Sequence, residues 1–186
     1  PILLAAKGFD LEQIGVVTAV YPAVWGFGQL FTGRMADIFN KKHLLFTGML
    51  LQGIALGLFL FAGSMTHYVL LSAVLGWGTA MVYPTFLATV AENTHPQDRA
   101  KSIGIFRLWR DSGYAFGAIL TGIIADLVSM NASIIFIGLL TLASAFIIRY
   151  RMNCKTDGAL KILDWIKSTS NEYSKKTSRN KLPDFV

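Results

Sequence analysis

The charged residues of this chain are spaced so that long apolar stretches lie between them. No Asp, Glu, Lys or Arg occurs from His43 through Ala91, and a second uncharged stretch runs from Ile14 to Phe31. A helix of about 20 apolar residues is long enough to cross a bilayer, and a short polar break divides the longer stretch into two. The pattern predicts five transmembrane helices, at residues 14–33, 44–62, 68–91, 102–128 and 132–149.

The composition agrees with a membrane protein whose main partner is the lipid bilayer. The mean hydropathy is +0.49 and 15% of the residues are charged, against about 25% in soluble domains. Residues 1–148 carry 8 basic and 7 acidic residues, whereas residues 149–186 carry 9 and 4. Because the net positive charge belongs mostly to the tail, the composition excludes nucleic acid as a partner. We expect this basic C-terminal tail, residues 151–186, to be partly disordered.

The basic residues also predict an orientation. Those near the ends of the predicted spans fall on one side of the membrane, except for Lys7 on the other side; they are Arg34, Lys41, Lys42, Arg99, Lys101, Arg149, Arg151 and Lys155. Basic loops mark the cytoplasmic side, so we expect a multi-pass protein of the cytoplasmic membrane with a cytoplasmic C-terminus. Five spans that begin outside require a further span before Pro1, and residues 1–6 would be its last turns.

The loop after the first predicted span carries a recognisable motif. It reads Gly33-Arg34-Met35-Ala36-Asp37-Ile38-Phe39-Asn40-Lys41-Lys42. This loop resembles the signature loop of the major facilitator superfamily, Gly-x-Leu-x-Asp-Arg-x-Gly-Arg-Lys/Arg. Gly33, Asp37, Lys41 and Lys42 match it. Ile38 replaces the family's Arg, and Asn40 replaces its second Gly. Because Asn tolerates a left-handed backbone, we expect the turn at residue 40 to survive.

The resemblance extends over about residues 8–150, through the stretches 76–84, 91–100 and 106–117. It implies an all-α integral membrane bundle of the superfamily type, in which this chain supplies five helices of one six-helix half. In the family, two such halves enclose a central substrate path and work by alternating access. The resemblance also implies that the Asp37 position stabilises one conformational state through the other half.

Two departures from the family pattern bear on which half this is. The N-terminal half usually has an Arg at the position of Ser72, and the fifth helix of its antiporters often has a Pro after the second glycine of the motif that begins at Gly113. Both residues are missing here, so we expect residues 1–150 to be part of the C-terminal half. The N-terminal half of the same transporter would then be a partner outside this chain.

The fourth predicted span carries the most informative polar residues. Arg107, Arg110, Asp111, Tyr114 and Ala118 fall on one helical face, and Arg110 lies about 12 Å into the membrane, counted along the helix. Charges at this depth are costly unless they pair or face water. We predict that Arg110 binds anionic groups of a small-molecule substrate, that Asp111 binds protons and that Tyr114 lines the site. The alternative is a structural ion pair with Arg107 extending to the surface.

Two further stripes predict a binding site. Tyr21, Trp25 and Gln29 are spaced four apart in the first span, and Trp77 leads a similar stripe (Trp77, Met81, Pro84 and Ala88) in the third. Aromatic and amide side chains line small-molecule sites, although helix packing explains the same spacing. At the inner end of the third span, we expect Glu92 to pair with Arg99.

The remaining function classes are less well supported. The three histidines, His43, His67 and His95, lie at different span ends, so neither a metal nor a cofactor is predicted. No catalytic set is visible, which disfavours an enzyme. The leading hypothesis is a secondary transporter for a small solute, coupled to protons, with uptake and export left open. The alternative is a non-transporting membrane sensor or partner-binding protein of the same fold.

Overall fold

The computed structural model describes residues 1–152, apart from the side chain of Asp37. This part of the chain contains α-helices and no strand, as the apolar pattern predicts. The helices are α1 (Ile2–Ala6), α2 (Leu11–Ile38), α3 (Lys41–Leu58), α4 (Met65–Glu92), α5 (Arg99–Leu127) and α6 (Met130–Arg151), with a 3-10 turn at Pro96–Asp98. The expectations for the basic tail concern residues that, from 153 onward, lie outside this description.

Each predicted span overlaps one long helix, α2 to α6 in order. The largest differences are at two helix ends: α2 continues to Ile38 rather than ending at residue 33, and α3 stops at Leu58 rather than at residue 62. Helix α3 ends early because the backbone tightens there into 3-10-type hydrogen bonds from Leu60 to Gly57 and from Phe61 to Leu58. Capping side chains fix other helix boundaries. Asn40 Oδ1 accepts a hydrogen bond from the Lys42 backbone N–H at 3.0 Å, which caps the start of α3.

Three helices are long and apolar enough to cross a membrane: α2 over Leu11–Ala36, α4 and α6. The other two long helices carry more polar residues. Lys41 and Lys42 open α3, and the middle of α5 contains Arg110 and Asp111. The fold is thus a membrane helical bundle in which one helix, α5, is distinctly more polar than its neighbours.

Helix α4 is the centre of this bundle. It packs against α2 on one side and α3 on the other, α3 also packs against α6, and α5 borders α4 and α6. Helices α3 and α4 run in opposite directions, since Gly48 lies against Val82 and Gly78 lies against Gln52. The start of α5 likewise meets the end of α4 through Phe106 and Phe86, and the start of α3 meets the end of α6 through Phe46 and Phe146. The ends of α2, α4 and α6 and the starts of α3 and α5 therefore lie at one end of the bundle, the end that carries its basic residues.

Glycines on α4 allow its neighbours to approach closely. A Cβ atom at Gly76 would lie 2.6 Å from the backbone oxygen of Tyr21 on α2. A Cβ atom at Gly78 would lie 2.9 Å from the backbone oxygen of Gly48 on α3. No side chain fits at these distances, so backbone-to-backbone packing here depends on glycine.

The opposite end of the bundle is closed by a small apolar cluster of Leu4, Ile14, Val17, Ala62 and Tyr68. Gly8, with φ of +82°, turns the chain between α1 and α2 in a conformation that favours glycine. The Tyr68 hydroxyl and the Lys7 ammonium group both donate to the Ala62 carbonyl oxygen, at 2.8 and 2.9 Å. These bonds anchor α1 and its turn to the α3–α4 connection.

Candidate functional site

The α2–α4 interface positions the first part of the candidate site. Thr32 on α2 is buried and donates a hydrogen bond to the Ala80 carbonyl oxygen of α4 at 2.6 Å. One side of the interface is held by the Gly76 contact, and the Tyr21 hydroxyl donates to the Thr79 hydroxyl oxygen at 3.3 Å. These contacts hold the two helices in one register and direct Tyr21 of α2 toward Thr79 of α4.

Aromatic rings continue from this hydrogen bond toward α5. The rings of Tyr21 and Trp25 stack with centroids 6.4 Å apart, and Trp25 meets the ring of Tyr83 edge-on at 6.2 Å. Tyr83 lies one turn after Thr79 on the same face of α4. The predicted pair Tyr21 and Trp25 is therefore joined by a residue from a second helix.

Arg110 completes the arrangement from α5. Its guanidinium carbon lies 5.0 Å from the centroid of the Tyr83 ring, which is within cation–π range. Its Nε and Nη2 both donate to Asp111 Oδ1, each at 2.8 Å. The Arg110 side chain is 28% exposed and that of Asp111 is 59% exposed. The cation thus rests against the ring while the carboxylate remains accessible.

These residues form one continuous group, here called the ring–cation row: Tyr21, Trp25, Tyr83, Arg110 and Asp111. It links α2, α4 and α5 by successive contacts. It presents aromatic faces at one end and an ion pair at the other, which suits a solute with a flat or ring-shaped body and a charged group.

One polar atom in the row has no partner. The indole nitrogen of Trp25 is buried and has no hydrogen-bond acceptor among residues 1–152. Buried indole N–H groups are normally bonded. A donor in this condition, between two tyrosine rings, is available to an acceptor that comes from outside this part of the chain.

The other predicted site residues lie near the row but are not part of it. Gln29 is half-buried one turn after Trp25 on α2. Trp77 lies against Gly28 of α2 and is 39% exposed. Tyr114 follows Arg110 by one turn on α5 and is 67% exposed. Met81, which shares the predicted Trp77 stripe, is buried instead in a cluster with Ala36 and Leu44.

Tyr83 is the site residue that the helical stripes missed. The sequence places it beside Pro84, within a stretch that resembles the family, but the predicted Trp77 stripe does not include it. The face that meets α2 and α5 contains Gly76, Thr79 and Tyr83, at spacings of three and four. Two glycines of α4 pack tightly, Gly76 against α2 and Gly78 against α3, so the glycines by themselves do not identify this face in the sequence.

The loop that resembles the family signature lies at the basic end of the bundle. Gly33 and the backbone of Asp37 belong to the last turns of α2, and Lys41 and Lys42 open α3. Among the non-glycine residues that the structure describes, none has a positive φ. The expected left-handed turn at Asn40 is therefore wrong, because its backbone is extended and its side chain caps α3.

An ion pair connects this loop to α4. The Lys41 ammonium group lies 2.8 Å from Glu92 Oε1, and the Lys41 side chain is only 13% exposed. Glu92 was expected to pair with Arg99 because the two are close in sequence. The antiparallel packing of α3 on α4 brings Lys41 to the end of α4, so Lys41 rather than Arg99 pairs with Glu92.

Comparisons with known proteins agree with this architecture. A Probable hexose phosphate transport protein of Chlamydia muridarum is 22% identical over 152 residues, which cover 82% of this chain and 33% of that protein. The Inner membrane transport protein YnfM of Escherichia coli is 25% identical over 145 residues, which cover 78% of this chain and 35% of YnfM. The chain therefore spans about a third of the length of these relatives. The model of the Major Facilitator Superfamily matches residues 1–163, and the chain belongs to this family.

Proposed function

We propose that this chain supplies five helices of one half of a secondary active transporter, which moves a small organic anion by alternating access and couples this movement to protons. The observation that carries the proposal is the ring–cation row, which brings a buried donor, two kinds of aromatic ring and an ion pair together from three helices. Relatives named as transport proteins support the general activity.

The length of the match supports a partial transporter. Relatives of which this chain spans about a third have room for the other helices of a twelve-helix fold. Ser72 and the missing Pro after Gly117 favour the C-terminal half, so α2 to α6 would be the eighth to twelfth helices. The second half of the substrate path then belongs to a part of the transporter that this chain does not contain.

The charge distribution supports a cytoplasmic C-terminus. Arg34, Lys42, Arg99, Lys101 and Arg149 lie at the same end of the alternating helices, whereas Lys7 lies at the other end. Basic residues in short loops are retained on the cytoplasmic side. The loop of Gly33, Asp37, Lys41 and Lys42 would then act at the cytoplasmic gate, where Lys41 and Glu92 tie it to α4.

The chemistry of the row indicates the class of solute. A guanidinium group binds phosphate or carboxylate through paired N–H donors, and the rings of Tyr21, Trp25 and Tyr83 offer surfaces for the solute's body. Hexose phosphates, named for the Chlamydia relative, have both an anionic group and a ring with many hydrogen-bond acceptors. We propose an organic anion of this kind as the solute, with Arg110 as its anion-binding residue.

Proton coupling would follow from competition for Arg110. Both guanidinium nitrogens that contact Asp111 use the same carboxylate oxygen. Protonation of Asp111 would remove the charge that holds Arg110, and the guanidinium would then be free to bind the anion. A proton and an anion would thus occupy the site together, while an empty site would retain the Arg110–Asp111 ion pair.

Flux measurements on the complete polypeptide that contains this chain test the proposal. The protein is reconstituted in proteoliposomes, and uptake of radiolabelled glucose 6-phosphate is followed with and without a pH gradient. We expect Asp111→Asn to lose gradient-driven uptake but to retain exchange of internal for external solute, because the neutral amide resembles a protonated carboxyl group. Arg110→Gln should lose both activities. Asp126→Asn, an exposed carboxylate on the same helix, is the matched control.

Two outcomes would contradict the proposal. Gradient-driven uptake by Asp111→Asn that equals the wild-type uptake would exclude Asp111 as the proton site. No flux of glucose 6-phosphate, inorganic phosphate or small carboxylates, together with stable binding of a partner protein, would favour the non-transporting sensor instead.

A further inference from the structure

The surface groove along the contact of α3 with α6 carries two cations, the half-buried Lys42 and the exposed Arg149, beside two aromatic rings at the basic end of the bundle. The rings of Phe46 on α3 and Phe146 on α6 meet edge-on with centroids 6.1 Å apart. The guanidinium carbon of Arg149 lies 5.4 Å from the centroid of the Phe46 ring. A guanidinium group that stacks on a ring keeps its N–H donors in its own plane, where they can reach an anion at the edge.

The helix register brings a second cation to the same place. Helices α3 and α6 are antiparallel, and a Cβ atom at Gly53 would lie 2.6 Å from the Leu142 side chain and 3.4 Å from the Gly138 oxygen. Together with the contact of Phe46 and Phe146, this pairing sets Lys42 at about the level of residues 149–151. Lys42 lies one turn before Phe46 on the side of α3 that meets α6, whereas Lys41 points to α4.

The surface next to these cations is apolar. Along α6, toward the middle of the bundle, Leu139, Phe146 and Ile147 are exposed hydrophobic residues. Tyr150, which is 81% exposed, lies beside Arg149 at the polar boundary, where tyrosines collect in membrane proteins. From the end of α6 toward the middle of the bundle, the order is therefore Tyr150 and Arg149, then the Phe146 ring and then apolar surface. A cation at the polar boundary followed by apolar surface matches the headgroup and acyl chains of a phospholipid.

From this arrangement we infer that the groove is a binding site for one anionic phospholipid, such as phosphatidylglycerol. Arg149 and Lys42 hold the headgroup phosphate, and the acyl chains lie along Phe146 and the exposed face of α6. Basic pockets between transmembrane helices bind anionic headgroups in this way. A soluble phosphate would use the cations but not the apolar surface beside them. This inference does not depend on which solute is transported or on Arg110.

Native mass spectrometry of the complete polypeptide that contains this chain, in detergent, tests the inference. Phosphatidylglycerol and phosphatidylcholine with the same acyl chains are offered in separate titrations, and the retained lipid is counted. Wild-type protein should retain one phosphatidylglycerol in preference to phosphatidylcholine. Arg149→Gln should lower this retention about fivefold, and Arg149→Gln with Lys42→Gln about twenty-fold, since each cation contributes on the order of 1 kcal/mol. Arg149 is exposed, so its replacement should not prevent folding, and circular dichroism verifies this.

Arg34→Gln is the matched control, because Arg34 is an exposed basic residue at the same end of the bundle but on α2. It should leave lipid retention unchanged. Equal loss in Arg34→Gln and Arg149→Gln would show a general attraction to positive charge and would overturn the site. Equal retention of both lipids by the wild type would overturn it as well. Displacement of phosphatidylglycerol by soluble glycerol 3-phosphate would identify a free-phosphate site instead.

Discussion

The ammonium group of Lys41, the first residue of α3, donates a hydrogen bond of 2.8 Å to Glu92, the last residue of α4. The two side chains differ in environment, because that of Lys41 is 13% exposed and that of Glu92 is 58% exposed. Lys41 is also one of the loop residues that match the family signature. The ion pair therefore fixes the start of the signature loop's helix to the central helix of the bundle.

A double-mutant cycle measures what this pair contributes. Lys41→Gln, Glu92→Gln and the double variant are compared by thermal unfolding in detergent. Since Glu92 is more than half exposed, solvent screens the pair, and we expect a coupling free energy of about 0.5–1 kcal/mol that decreases with added salt. Strictly additive effects of the two single variants would show that the pair contributes nothing to stability. His43→Gln, an exposed neighbour on α3, is the control substitution.

The close approach of α2 and α4 at Gly76 predicts opposite outcomes for two glycine substitutions. Gly76→Ala places a methyl group against the Tyr21 carbonyl oxygen, so the helices must separate, and we expect a loss of about 1–3 kcal/mol in the free energy of unfolding. A Cβ atom at Gly57 meets nothing within 4 Å. Gly57→Ala should be neutral or slightly stabilising, because alanine favours the helix. Equal effects of the two variants would contradict the packing described at Gly76.

The helices of this fold follow from the sequence because their signal is local. Each stretch from α2 to α6 is marked by its own run of apolar residues, and polar caps such as Asn40 mark the boundaries. The predicted span runs four residues past the end of α3, since residues 59–62 are as apolar as the helix before them. Hydrophobicity continues there, while the backbone geometry changes into the turn that leads to α4.

The site could be predicted only in part, because its geometry depends on contacts between helices. Tyr21, Trp25, Arg110 and Asp111 are found from charge, depth and spacing within one helix. Tyr83 is not, since the face of α4 that meets α2 and α5 is decided by where Gly76 packs. The same limit explains Glu92, whose nearest cation in the sequence is not its nearest cation in the bundle.

The hydroxyl group of Tyr68 tests the packing at the end of the bundle opposite the basic residues. Tyr68 is fully buried, and its hydroxyl donates to the Ala62 carbonyl oxygen at 2.8 Å. Tyr68→Phe keeps the ring but removes the donor, so we expect a loss of about 0.5–1.5 kcal/mol in the free energy of unfolding. Tyr150→Phe, at an exposed tyrosine, should have no measurable effect.

Because Lys7 also donates to the Ala62 carbonyl oxygen, the double variant Lys7→Met with Tyr68→Phe leaves that oxygen without either donor. It should lose more free energy of unfolding than the sum of the losses in the two single variants. A purely additive result would mean that the two donors act independently.

Under the proposed function, the buried indole nitrogen of Trp25 makes a prediction about solute recognition by the complete polypeptide. This donor is buried and has no acceptor among the described residues, so any acceptor would come from outside this part of the chain. If a hydroxyl group of the solute is that acceptor, Trp25→Phe should raise the KM for glucose 6-phosphate about fivefold, the effect of one lost hydrogen bond. Trp109→Phe, at an exposed tryptophan of α5, should leave KM unchanged.

A set of deoxy analogues of glucose 6-phosphate separates this role from a loss of packing. The analogue that lacks the accepting hydroxyl group should bind to the wild-type protein about fivefold more weakly than glucose 6-phosphate does. In Trp25→Phe the same analogue and the parent should have equal KM values, because the donor that distinguished them is gone. A Trp25→Phe variant that still distinguishes every analogue as the wild type does would show that the indole N–H does not contact the solute. The rise in KM would then reflect the smaller ring alone, since Phe leaves space between Tyr21 and Tyr83.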